Sequence, residues 1–218
     1  RILPLTLPVQ RRRQHGVLMK KEVRNLVDRI LYGVGVGSSF EKGRWFLGEI
    51  EQAQARLGKS DKYVYVAADA YRLPFVDGLF DGATMIRALH HMSDAPKVLA
   101  GAARVMRSDS IFILEFANKK NFKAILRWLL RRQDWSPFTR APVEFAALNF
   151  DFHPRAVFDW LTEAGFAVEA KRTVSHFRLG LLKRLVPFRW LAALDGLFQP
   201  TGEIFQFTPS VFVRARRV

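Results

Sequence analysis

Residues 63–92 constrain the fold of this chain more than any other part of the sequence. Residues 63–68 are a short apolar run rich in valine and tyrosine, and Asp69 follows it with a carboxylate. A loop with proline and glycine leads to a second apolar run, residues 82–86. Further polar side chains follow that run: Arg87, His90 and His91. Two strands that both deliver polar groups at their carboxyl ends predict a ligand crevice at one edge of an open α/β sheet.

Helical and strand patterns alternate after this stretch. Residues 95–106 have apolar side chains at helical spacing, and a turn at 107–110 leads into residues 111–117, a continuous apolar run typical of a buried parallel strand. The next helix begins with Asn118 or Asn121 as its cap. Its apolar stripe consists of Phe122, Ile125, Leu126, Leu129 and Leu130. This alternation predicts an α/β fold with a mostly parallel sheet covered by helices.

The C-terminal part contains a helix at 154–165 and a strand at 166–174. Residues 177–198 are rich in leucine and basic residues. They predict either a helix packed on its own domain, which we favour, or a segment lying on a membrane surface. Residues 203–216 predict a terminal strand pair or one long strand interrupted by Pro209.

Two domain-level divisions are expected. Residues 1–25 form a basic arm with little periodicity, and residues 26–218 form the main domain. Within that domain, residues 133–153 are aromatic and proline-containing, which indicates either a cap or lid over the site or a packed surface loop.

Glycines at alternate positions follow the first apolar run of the domain. Gly33, Gly35 and Gly37 lie in the sequence LVDRILYGVGVG. A strand followed by a glycine turn indicates a nucleotide-binding loop, because glycine lets backbone N–H groups approach a ligand. An ordinary glycine-rich turn is the alternative.

Composition limits the classes of function. The sequence has no cysteine, which excludes disulfides, thiolate metal sites and a cysteine nucleophile, and fits a cytoplasmic location. The formal net charge of +15 suggests an anionic partner, although a solvated basic surface would have the same composition. The basic residues are scattered along the chain, so a dedicated nucleic-acid surface is not favoured.

No targeting or membrane-spanning segment is expected. The sequence lacks a long uncharged apolar run and a legible signal peptide. Its first residue is arginine, so we expect that the natural start is missing or was removed.

Four features in order resemble a known family. They are ADAYRLPF, VDGLFDGATMIRALHHM, an amphipathic helix ending in RVM, and IFILEFANK. This order is similar to that of the class I S-adenosylmethionine-dependent methyltransferases, and to the small-molecule branch related to the ubiquinone and menaquinone C-methyltransferases. The resemblance covers about residues 53–218. It implies a Rossmann-like, mostly parallel sheet with helices on both faces and a C-terminal antiparallel strand, with S-adenosylmethionine as cofactor.

The resemblance also implies roles for the residues of the opening stretch. Asp69 would accept a hydrogen bond from the adenine amino group, the backbone of Ala70 would reach the ring, and Leu73 would pack on its face. Arg87 would lie near the methionine part of the cofactor. The resemblance further implies that either His90 or His91 lines the methyl-transfer pocket as an acid–base candidate.

The N-terminal third departs from the family pattern. Leu31 stands where the family has an acidic residue before its first glycine. Glu49 and Glu51, the candidates for the ribose-binding acid, follow Gly37 by only about a dozen residues. That spacing leaves too little chain for a full helix and a second strand. Gly33, Gly35, Gly37 and Glu49 are nevertheless the residues expected to complete the cofactor site.

These observations predict methyl transfer to a small apolar or aromatic acceptor, without a metal. The alternative is an impaired methyltransferase scaffold that binds RNA or an acidic membrane through its basic face. A nicotinamide dehydrogenase is disfavoured, because GxGxxG and a catalytic tyrosine–lysine pair are both missing from the sequence.

Overall fold

The computed structural model describes residues 30–35, 55, 63–174, 176 and 187–218. The strands are β1 (Ile30–Gly35), β2 (Tyr63–Ala68), β3 (Phe80–Met85), β4 (Met106–Ala117), β5 (Val143–Ala146), β6 (Asn149–Asp151), β7 (Phe166–Val174) and β8 (Ser210–Arg217). The helices are α1 (Ala95–Val105), α2 (Phe122–Leu129), α3 (Pro154–Glu163) and α4 (Phe188–Phe198), with 3₁₀ turns at Leu89–His91 and Gln199–Glu203.

A mixed sheet forms the centre of the fold. Its strand order is β3-β4-β8-β7, with β3 and β4 parallel and β8 antiparallel to both of its neighbours. The parallel pair is joined through α1, since a parallel connection needs a crossover element. β1 and β2 form a separate parallel pair, and β5 and β6 form an antiparallel hairpin. The predicted α/β fold with a C-terminal antiparallel strand is confirmed.

The core lies between this sheet and the helices α1 and α3. Phe112, Leu114 and Phe116 of β4 are fully buried, and the Phe112 ring stacks on that of Phe166 with centroids 5.1 Å apart. The residues that cover β4 in the same cluster come from α1, α3 and β8: Leu99, Ala102, Ala103, Val157, Leu161, Val211, Val213 and Ala215. The apolar periodicity read from the sequence for α1 and α3 therefore marks their buried faces.

Side-chain caps set where α1 and α2 begin. The Asp94 carboxylate accepts the Lys97 N–H at 3.1 Å before α1, and the Asn121 side chain accepts the Ala124 N–H at 3.0 Å before α2. Of the two asparagines expected to cap α2, Asn121 is the one that does so. Each bond satisfies one of the N–H groups that a helix start leaves unpaired.

The start of β4 differs from the expected boundary. Residues 107–110, expected as a turn, belong to β4. They form an irregularity in that strand, because Phe80 pairs with Met106 while Gly82 pairs with Ile111, and Asp109 adopts a positive φ of 63°. The turn-forming residues 107–110 therefore form a bulge inside one long strand.

The end of β1 and the start of β8 also differ from the expected boundaries. Gly33 and Gly35 lie within β1, paired with Val66 and Ala68, and not in a turn after it. At the C-terminus, one strand begins directly after Pro209, which lacks the N–H that a ladder position needs. Gly37 and the basic arm lie outside the described residues.

Asn118 joins three parts of the chain just beyond the end of β4. Its side-chain amide donates to the carbonyls of Gln206 at 2.7 Å and Thr208 at 2.8 Å, and its Oδ1 accepts the Lys120 N–H at 2.8 Å. Asn118 is 1% exposed, so water cannot replace these bonds.

We predict that Asn118→Ala lowers the free energy of unfolding by about 2–4 kcal/mol, because it leaves buried carbonyls unpaired. Thermal and urea denaturation measure the change. The matched control is Asn149→Ala, whose side chain donates only to the nearby Ala147 carbonyl in an exposed position. An equal loss in both variants would contradict this role of Asn118.

Candidate functional site

The loop after β2 and the segment after β3 lie against each other. Ala70 is buried with Met92 and Val98, and Met85 at the end of β3 packs on this cluster. The Tyr71 hydroxyl lies 3.2 Å from the Ser93 hydroxyl. The structure therefore brings together the two strand ends that the sequence placed at one crevice.

Asp69 is held at this edge in an exposed position. Its Oδ1 accepts the Tyr71 N–H at 2.9 Å, and its carbonyl accepts the Arg72 N–H at 3.0 Å. This local turn fixes the direction of the carboxylate at the carboxyl end of β2. Leu73 is half-buried in the same loop, and its carbonyl accepts the Arg104 guanidinium at 2.9 Å.

Arg87 and Glu115 form the next part of the edge. Arg87 has a positive φ of 54°, and its N–H donates to the Glu115 Oε2 at 2.7 Å. Glu115 is 8% exposed near the carboxyl end of β4, and its other carboxylate oxygen accepts a hydrogen bond from the Ser210 hydroxyl. A buried carboxylate thus supports a backbone conformation that is costly for arginine. Sequence reasoning missed Glu115, although a single acid within the apolar run IFILEFA was a usable signal.

His90 and His91 stack on the 3₁₀ turn that follows Arg87. Their ring centroids are 3.9 Å apart at 45°. Burial lowers the pKa of His90 below its usual value, as do the nearby His91 and Arg87, while Glu115 acts in the opposite direction. His90 is therefore unprotonated at neutral pH.

The tautomer of His91 follows from its partner. Its Nδ1 lies 3.3 Å from the carbonyl of Leu148. A carbonyl only accepts, so Nδ1 is the donor in this contact.

The β5–β6 hairpin supplies that carbonyl. Leu148 sits at its tip with φ 52°, its N–H donates to the Glu144 carboxylate at 2.6 Å, and β6 packs against the 3₁₀ turn of the histidines. The segment 133–153 therefore contains a hairpin that contacts the histidine pair.

A second polar cluster lies beyond β4 and was missed by sequence reasoning. Lys119 is fully buried, and its ammonium donates to the Thr139 hydroxyl at 3.0 Å and the Ala141 carbonyl at 2.7 Å. Burial lowers the pKa of Lys119, which Asp151 partly opposes. Burial raises the pKa of Asp151 to about 6, with Lys119 opposing.

His153 completes this cluster at the start of α3. Burial, together with the charges of Lys120 and Lys119, lowers its pKa to about 4. Its Nδ1 is buried and has no hydrogen-bond partner among the described residues.

Opposite pH dependences are predicted for His153 and Asp151. Between about pH 6.5 and 4 the unfolded chain protonates His153 while the folded chain does not, so acid destabilises the fold there. Between about pH 6 and 3.8 the folded chain protonates Asp151 first, so acid stabilises the fold.

We therefore expect His153→Gln to reduce the slope of the unfolding free energy against pH between pH 6.5 and 4, by up to the slope that about one bound proton produces. Asp151→Asn should increase that slope between pH 6 and 4. Urea denaturation at closely spaced pH values measures both slopes. Parallel curves for the wild type and both variants would contradict the assigned protonation states.

The glycine residues lie at the same edge only in part. Gly35 pairs with Ala68, so the carboxyl end of β1 lies beside the start of the Asp69 loop. Gly33 lies two residues earlier in β1. Gly37 and Glu49 are outside the described residues, and their predicted contacts with the cofactor stay predictions.

The described parts of the chain lack two kinds of feature. Across these residues, no group of three or more His, Asp or Glu side chains is placed to hold a metal ion. No helix in the same ranges is both long and apolar enough to cross a membrane.

Comparison with known proteins connects this edge to one enzyme class. Residues 47–114 match the family model for a methyltransferase domain. An O-methyltransferase of Aspergillus sclerotiorum is 43% identical over 65 residues, which is 28% of this chain and 25% of that protein. A ubiquinone/menaquinone biosynthesis C-methyltransferase of Paracoccus denitrificans is 33% identical over 85 residues, covering 38% and 33%. The matches thus span only a quarter to a third of these curated relatives.

The similarity of fold extends over nearly the whole chain. An S-adenosylmethionine-dependent methyltransferase of Mesorhizobium loti superposes with a TM-score of 0.53 at 17% identity, covering 93% of this chain and 99% of that structure. The fold is therefore the Rossmann-like fold seen in S-adenosylmethionine-dependent methyltransferases.

Proposed function

We propose that this protein is an S-adenosylmethionine-dependent methyltransferase acting on a small apolar or aromatic acceptor. The observation that carries the proposal is the packing of the Asp69–Ala70 loop against the end of β3, inside the matched residues 47–114. In α/β sheets of this kind, ligands bind outside the carboxyl ends of the strands. The O- and C-methyltransferase relatives support a small-molecule acceptor, and the partial match to a C-methyltransferase supports the branch related to quinone methylation.

The cofactor would lie along the carboxyl edge of β1, β2 and β3. The exposed Asp69 carboxylate suits the adenine amino group, the buried Ala70 leaves room for the ring, and Leu73 gives it an apolar surface. Arg87 would lie on the methionine side, where Glu115 fixes its backbone. Gly33, Gly35, Gly37 and Glu49 complete the proposed site.

Chemistry at this edge needs a methyl donor aligned with a nucleophile. The bound cofactor supplies an electrophilic methyl group, and the site contributes mainly proximity and orientation. His90 is unprotonated at neutral pH and serves as the proposed base that takes the acceptor proton. His91 is tied to Leu148 and holds the hairpin in place, so residues 133–153 act as a cap.

We predict that Asp69→Ala weakens S-adenosylmethionine binding about tenfold to hundredfold, because it removes a charge-assisted hydrogen bond. Isothermal titration calorimetry measures the dissociation constant. The control is Asp81→Ala, an exposed aspartate at the other end of β3 that pairs with Arg107. An absence of binding to the wild type at millimolar cofactor would rule out the proposed function.

We predict that His90→Asn lowers methyl transfer to small phenols and quinols about 10²-fold or more while cofactor affinity is unchanged. Transfer of a radiolabelled methyl group measures the rate, and His91→Asn serves as the neighbouring control. The wild-type rate should stay level from pH 8 to about 6.5, since the pKa of His90 is lowered. A larger loss in His91→Asn would reassign the base to His91.

A further inference from the structure

The apolar stripe of α2 faces solvent. Phe122 is 68% exposed, Leu126 44% and Leu129 63%, at positions i, i+4 and i+7 of one helix face. Ala124 is the residue of α2 that is buried against the rest of the chain. The helix thus packs through a small residue and directs its large apolar side chains outward, opposite to the usual arrangement.

Aromatic residues before β8 extend this stripe. The Phe122 N–H donates to the Phe207 carbonyl at 2.7 Å, and the Phe207 ring stacks on Phe205 with centroids 5.7 Å apart. Both rings are exposed, Phe205 by 56% and Phe207 by 43%. We call the surface formed by these residues the α2 apolar face: Phe122, Leu126, Leu129, Phe205 and Phe207.

Cations border the α2 apolar face. Lys123 and Arg127 of α2 each stand one residue after a member of the apolar stripe, Arg131 follows the end of the helix, and all three are exposed. Lys120 lies over the Phe207 ring at 5.8 Å. The sequence has no acidic residue from 118 to 133. The surface therefore combines an apolar stripe with a cationic stripe about 100° around the helix.

We propose that the α2 apolar face binds the surface of an anionic lipid bilayer. A helix with leucine and phenylalanine on one face and lysine and arginine beside it lies in the membrane interface, with its apolar side among the acyl chains and its cations at the headgroups. RNA bases would stack only on the three phenylalanines of this face, whereas acyl chains also match Leu126 and Leu129, so the bilayer fits the whole face better. The surface is independent of the proposed cofactor edge.

The segment at 188–198 repeats the pattern. In α4, Trp190, Leu194, Leu197 and Phe198 are exposed at i, i+4, i+7 and i+8. α4 leads through a short 3₁₀ turn to Phe205 and Phe207, so a second apolar stripe adjoins the α2 apolar face along the chain. The membrane-surface interpretation of residues 177–198 thus gains support from α4.

Vesicle sedimentation tests the proposal with the full chain. Phosphatidylcholine vesicles containing phosphatidylglycerol should pull down the wild type, and pure phosphatidylcholine vesicles should bind it far more weakly. We expect Leu126→Ser/Leu129→Ser to weaken partitioning at least about tenfold, through lost apolar insertion. Lys123→Gln/Arg127→Gln should weaken it about 25-fold and reduce its sensitivity to salt.

Matched controls distinguish binding through this surface from non-specific adsorption to vesicles. Phe145→Ser removes an exposed phenylalanine of β5, and Arg155→Gln removes an exposed cation of α3; both should bind vesicles like the wild type. The thermal midpoint of Leu126→Ser/Leu129→Ser should also equal that of Phe145→Ser.

Three results would overturn the proposal. The first is equal binding by wild type and Leu126→Ser/Leu129→Ser. The second is a lower thermal midpoint in that variant, which would show that the face packs within the chain. The third is a wild type that ignores anionic vesicles and binds an oligoribonucleotide instead, which would assign the cations to RNA.

Discussion

The candidate site depends on the two hydrogen bonds that the Glu115 carboxylate accepts. One carboxylate oxygen takes the Arg87 N–H and the other takes the Ser210 hydroxyl, so a single buried side chain in β4 ties the end of β3 to the start of β8. A buried carboxylate is stable only when its oxygens are hydrogen-bonded. Meeting that requirement here also holds Arg87 at a positive φ, which directs the chain into the histidine turn.

Residues that directly follow β4 connect this strand to other parts of the chain by hydrogen bonds. Asn118 binds the carbonyls of Gln206 and Thr208, and Lys119 binds the Ala141 carbonyl beneath the hairpin. The approach to the hairpin and the start of α2 are therefore both held by residues that directly follow β4.

Local patterns were enough to predict most of the elements. Apolar runs located β2 and β4, helical spacing located α1 and α3, and Asn121 was among the expected caps because its side chain can accept a helix N–H. Single polar residues within apolar surroundings were not recognised. Glu115, Lys119 and His153 acquire their pairing or altered pKa from residues distant in sequence, and no local pattern specifies those neighbours.

The sequence by itself determined the order of β2, β3, α1, β4, α2, α3 and β7, the pair of polar strand ends, and the presence of an apolar stripe on α1 and on α2. Only the tertiary structure decided what each stripe contacts. Val98, Leu99 and Ala102 of α1 are buried, whereas Phe122, Leu126 and Leu129 of α2 are exposed. Periodicity sets which side chains share a face, since it follows from 3.6 residues per turn. Whether that face meets a sheet or solvent depends on where Asn118 and the residues before β8 fix the helix.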